Sequence, residues 1–227
     1  FDARSVLLAG GALAALCMAL HGAARSDTLL FVLRAATGIA SAASFVTGGL
    51  LAARLAGQAR RLSAGLVLGL YYGGTGLGII ASTAVVPPLV GLAAWPAAWL
   101  ALGLLCALAT AATAWSTRRL VAPPAPGMSH GTVPWWPLAF GLAGYLMFGL
   151  GYIGYMTFVI TLLHEQGLGE AARMGFYALL GAGVIASSWL WAGLLQRWRG
   201  GQTLALLNGL LALRSEEHTS ELQSPLN

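Results

Sequence analysis

Apolar runs long enough to cross a bilayer as helices follow one another from Ser5 to Leu213, separated by short polar gaps that hold nearly all of the charge. The first run, Ser5 to about Ala24, ends at Arg25-Ser26-Asp27, where Asp27 and Thr28 suit the N-cap of a second helix reaching about Arg54. A basic gap, Gly57 to Ser63, leads to a third helix from about Ala64 to Val86. Pro87-Pro88 is expected to stop it, because a proline disfavours α geometry at the residue before it. A fourth helix, Trp95 to Trp115, carries tryptophans suited to the membrane interface at each end. A fifth starts near Trp135 and runs to Leu163, a sixth runs from about Met174 to Gln196, and a seventh begins at Thr203 and is cut short. The pattern predicts an all-α fold, a polytopic membrane helical bundle of about 6.5 spans in two bundles.

The main break in the pattern is Arg118-Arg119 followed by Pro123-Pro124-Ala125-Pro126-Gly127, which reads as an extended, semi-rigid linker. Residues 1–117 are therefore expected to form one bundle, 118–134 the linker, and 135–213 a second bundle. After Leu213 the composition changes abruptly, and the last stretch holds Glu216, Glu217 and Glu221, three of the seven acids in the chain. The string from Arg214 to Ser224 looks like a translated short-read sequencing adapter, so residues 214–227 read as an artefact and carry no site. Phe1-Asp2-Ala3-Arg4 reads like the tail of a loop, and the chain is expected to be an internal piece of a longer protein.

Composition sharpens this picture. Hydrophobic residues make up 58% of the chain and charged residues 8%, about a third of the usual share for a soluble domain. Mean hydropathy is +0.76. The net charge of +5 comes with no basic patch interleaved with surface aromatics, so nucleic acid is not an expected partner. Instead the arginines report topology. Arg4, Arg54, Arg60, Arg61, Arg118, Arg119, Arg197 and Arg199 fall on one side, against Arg25 and Arg173 on the other, which makes the linker cytoplasmic by the positive-inside rule. Cys17 and Cys106 sit among Ala and Leu in mid-run, as small apolar filling with no disulfide or metal role.

Few residues offer chemistry. Arg34 lies inside the second run, where a charge costs at least about 2.5 kcal/mol, so it is expected to face a polar cavity; the competing reading has it snorkel outward beside Asp27. On the fifth helix Tyr145, Phe148, Tyr152, Tyr155 and Val159 share one face beside Gly149, Gly151 and Gly154, a stripe that can wall a ligand cavity or simply pack. Tyr71 and Tyr72 on the third helix are similar candidates. Gly65, Gly69 and Gly73 lie four apart, as do Gly74 and Gly78, giving two small ridges for close helix packing inside a bundle. His21 and His164 have no second ligand at metal spacing and are expected at the interface, and no metal or cofactor is expected. No hydrolase, zinc-protease or phosphate-loop motif occurs, which argues against an enzyme. The spans hold no acid, so any proton coupling needs residues outside this sequence.

Four helices, a long linker and a second helical set resemble the major facilitator superfamily, read from its third helix to part of its ninth. Leu33-Arg34-Ala35-Ala36-Thr37-Gly38 resembles that family's Arg-x-x-Gln-Gly motif, with Thr37 in place of Gln. Gly69, Gly73 and Gly78 match its fifth-helix glycine motif, whereas Gly74 replaces Pro and Leu77 replaces Gly, a departure that argues against antiport specifically. Of the family's Gly-x-x-x-Asp-Arg-x-Gly motif only Arg197 survives, with Ala192, Gln196 and Arg199 at the other positions. The string from Gly149 to Phe158 resembles the seventh helix of the YbfB/YjiJ-type subgroup. The resemblance implies a multi-pass protein of the bacterial inner membrane, a secondary transporter of a small solute working by alternating access. Its substrate and coupling path would be lined by Arg34, Tyr72, Tyr152 and Tyr155, with protons as a further partner through residues elsewhere. The alternative is a non-transporting membrane sensor or assembly protein on the same bundle.

Overall fold

The computed structural model describes residues 2–57, 63–119 and 135–197, together with Leu206 and Gly209. The polar linker from residue 120 to 134, the seventh run and the tail lie outside them, apart from those two residues. Every described element is a helix: α1 (Ala3–His21), α2 (Asp27–Ala56), α3 (Ala64–Ser116), α4 (Trp135–Glu165) and α5 (Glu170–Arg197). All five contain a stretch long and apolar enough to cross a membrane.

Polar side chains in the gaps start the helices. The Asp2 carboxylate accepts from the Arg4 N–H (3.3 Å), and the Ser63 hydroxyl caps α3 by accepting from Leu66 N–H (3.2 Å). At α2 the cap is Ser26, which accepts from Leu29 N–H (3.3 Å), rather than Asp27 or Thr28. Asp27 instead occupies the first turn, where its charge complements the helix dipole. Helix α5 begins one turn earlier than its apolar pattern, at Glu170, after a turn through Gly167 at φ 77°.

Helix α3 corrects the sequence reading at Pro87-Pro88. The chain stays helical through both prolines and breaks at Ala94, with φ 66° and ψ 170°. A proline removes one amide donor and disfavours, without forbidding, helix before it, and apolar neighbours leave no water to compete for the freed carbonyls. The break falls where Pro96 opens the next helix, a position in which proline is tolerated because first-turn amides have no intrahelical partner. The two limbs, 64–93 and 95–116, are each long enough to span a bilayer, so five helices supply six passes.

Small residues let α1 approach its neighbours. A Cβ on Gly10 would sit 2.7 Å from the Ala40 carbonyl oxygen of α2, and one on Gly103 would sit 3.0 Å from that of Ala15. Ser44 donates to the Leu7 carbonyl across the α1–α2 contact (2.8 Å). Arg4 ties the start of α1 to the end of α3, donating to Thr117 Oγ1 and the Ala114 carbonyl (both 3.1 Å). Thus α1 lies between α2 and the second limb of α3, while the first limb of α3 packs on α2 and, most extensively, on α5. Helix α4 touches α5 only sparsely, with Tyr177 donating to the Met156 carbonyl (3.1 Å).

Candidate functional site

The contact between α3 and α5 is closed at one end and open at the other. Near the arginine-rich end, where Arg4, Arg54 and Arg118 gather, a Cβ on Gly69 would lie 2.7 Å from the Ser188 carbonyl oxygen and one on Gly73 3.2 Å from Ser188 Oγ. Further along, Gly76 meets the Gly181 backbone and Ile185, and a Cβ on Gly181 would lie 2.7 Å from the Gly76 carbonyl oxygen. The sequence ridges did not include Gly76, yet it is buried at this contact; Gly74 and Gly78 have nothing within 4 Å of an added Cβ. Past Ile80 the helices part around a cleft of about 540 Å³. Val86, Pro87 and Val90 wall it on α3, Ile160 on α4, and Arg173 and Tyr177 on α5.

The residues singled out in the sequence occupy two separate places. Arg34 is exposed on α2, its guanidinium 5.6 Å from the centroid of the Trp99 ring, a cation–π contact with the second limb of α3. Arg34, Gly38, Ser41, Phe45 and Gly49 follow one another on one face of α2. Tyr72 closes the far end of that strip: its ring centroid lies 5.4 Å from that of Phe45, and its hydroxyl 3.0 Å from a Cβ built on Gly49. Tyr71 donates to the Phe45 carbonyl (2.8 Å) and fills the notch left by Gly48. Between Arg34 and Phe45 the strip is open, with nothing within 4 Å of a Cβ on Gly38. On α4, Tyr145, Phe148 and Tyr152 form a continuous aromatic ladder with centroids 6.3 and 6.1 Å apart. That ladder and Tyr155 are exposed and do not meet the α2 strip.

His21, expected at the interface, ends α1 with its side chain enclosed by protein. It is 1% exposed, the most deeply buried side chain among the described residues. Its ring stacks on Trp99 at 4.4 Å, Nδ1 lies 2.7 Å from the Cys17 carbonyl oxygen, and Nε2 has no hydrogen-bond partner. One tryptophan therefore joins α1, α2 and α3 through His21 and Arg34. A lone histidine at a helix end gives no sequence signal of such burial. Arg173 was legible only as a topology charge; that it enters a cleft depends on α3, which the sequence does not pair with α5. Cys17 and Cys106 are free thiols, and no group of three or more His, Cys, Asp or Glu able to hold a metal occurs among the described residues.

Among the described residues, six apolar passes, those of α1, α2, α3 and α5 meeting through small residues and a cleft opening between α3, α4 and α5, define a polytopic membrane helical bundle. The sequence matches the family described as "Uncharacterised MFS-type transporter YbfB" over residues 2–214, and the chain belongs to that family of membrane transporters. Comparison with curated proteins and with solved structures gives no match.

Proposed function

We propose that this transporter is a secondary carrier that moves a small solute across the bacterial inner membrane by alternating access, with its arginine-rich end in the cytoplasm. The observation that carries the reading is the α3–α5 contact, sealed by glycines toward the arginine-rich end and parted around a cleft at the other. A contact of this form is a closed gate between two helical groups, and rocking that parts it while closing the cleft exchanges which end is open. The conformation described corresponds to the outward-facing state. Arg34 and Tyr72 line the path on α2 and α3, Tyr152 and Tyr155 line it on α4, and closure brings the α4 aromatic ladder toward the open α2 strip. An arginine so placed suits an anionic or hydrogen-bond-accepting part of the solute.

Flux through proteoliposomes tests the reading. Vesicles carrying the protein and loaded with a panel of organic acids, amino acids, sugars and organic cations are expected to lose at least one class faster than empty vesicles. No protein-dependent flux for any class, in protein whose cleft still changes width on adding solute, would replace the carrier with a membrane sensor.

A further inference from the structure

We propose that the cleft between α3, α4 and α5 is a recognition site for a carboxylate carried on an apolar body, with Arg173 as its anion-binding group. The walls supply the apolar part: Val86, Pro87 and Val90 face Ile160 and Met174 across about 540 Å³, room for a small organic acid. The charge is less easily explained by the fold alone. Arg173 Nη1 lies 3.3 Å from His164 Nδ1, a ring nitrogen in place of a carboxylate, while Nε is shielded from solvent and has no hydrogen-bond partner. Among the described residues the guanidinium meets no carboxylate, only the His164 ring, which leaves a cation without a counter-charge at the rim of an apolar cleft.

With Nη1 turned to His164 and Nε closed off from the cleft, Nη2 is the donor left to a ligand, and a charge-assisted hydrogen bond from it suits a carboxylate oxygen. Glu170 also borders the cleft, but its place in the first turn of α5 accounts for it by helix-dipole complementarity. The site lies at the end opposite the arginine-rich one, so it receives solute in the state described. The solute's role as cargo rests on the carrier reading; its binding does not.

Calorimetric titration of the protein in phosphatidylcholine nanodiscs with hexanoate and with hexanamide, its uncharged counterpart, tests the assignment. Hexanoate is expected to bind at least about tenfold more tightly, and Arg173→Gln to abolish the difference. Gly91→Leu should weaken both ligands while leaving the guanidinium untouched, because an added Cβ there meets nothing within 4 Å and the longer side chain fills the cleft. It keeps the test open if Arg173→Gln fails to fold. Equal affinity for the two ligands, or hexanoate binding unchanged in a folded Arg173→Gln protein, overturns the site. So does loss of hexanoate binding when phosphatidylglycerol replaces phosphatidylcholine at about 0.15 M salt, where surface repulsion is screened, since the headgroup of an anionic lipid would then be the occupant. Equilibrium binding needs no flux: hexanoate bound without transport of any solute would sink the carrier and leave the site standing, and transport without hexanoate binding would do the reverse.

Discussion

Arg34 and His21 sit on the same tryptophan and make opposite demands on their surroundings. Arg34 has found only a π face, which stabilises a cation by about 1 kcal/mol at an exposed position. If its task is to meet solute, Arg34→Ala abolishes transport while membrane insertion is unchanged or improved, because removing a charge from a span makes insertion easier. An uptake or efflux rate near that of the parent at normal expression would show that the side chain merely snorkels. His21 is buried, and its Nε2 is unsatisfied. Phe in its place keeps the stacking on Trp99 and removes the orphan nitrogen, so His21→Phe is expected to melt at the same temperature or higher. A loss of more than about 2 kcal/mol would reveal a partner for that nitrogen in the folded protein.

Helices in this chain are positioned by what their glycines meet, and matched substitutions on one helix isolate that effect. Gly76→Val drives a β-branched side chain into the Gly181 backbone and to within 2.8 Å of Ile185, and should cost about 3 kcal/mol. Gly78→Val, two residues along in open space, should stay within about 1 kcal/mol of the parent. Equal melting temperatures for the two would mean that α3 and α5 do not pack as described. Ala94 offers a test in the other direction. Its φ of 66° with extended ψ suits only glycine, so Ala94→Gly should stabilise the protein by about 1 kcal/mol, and a fall in melting temperature would place the break elsewhere. These positions also mark the reach of the sequence. Helix existence was legible for every span among the described residues, since a run of twenty apolar residues has one satisfactory conformation in lipid. The stop at Pro87-Pro88 was misread because the rule for proline in helices weighs solvent that a membrane span lacks. Spacing announces a glycine ridge, but Gly76 and Gly78 carry the same local signal, and only the partner helix separates them.

At the scale of the whole molecule, the α3–α5 contact joins the helices on either side of the linker segment, so its mobility decides whether the protein rocks or stands as a fixed bundle. The geometry permits a direct arrest. A Cβ built on Gly73 lies 3.8 Å from Ser188 Cβ, the mean separation across a disulfide. With Cys17 and Cys106 replaced by Ala, Gly73→Cys combined with Ser188→Cys should form a disulfide under mild oxidation, visible as a mobility shift on gels. The bond pins the sealed end, where alternating access requires the two groups to separate. Transport should therefore stop on oxidation and return on reduction, while the cleft at the other end stays open. Labelling of a cysteine placed at Val90 in the cross-linked protein reads that openness directly, because Val90 borders the cleft and is itself exposed. Efficient cross-linking with transport unimpaired would mean that the glycine contact never opens during turnover, and the gate would have to be sought between other helices.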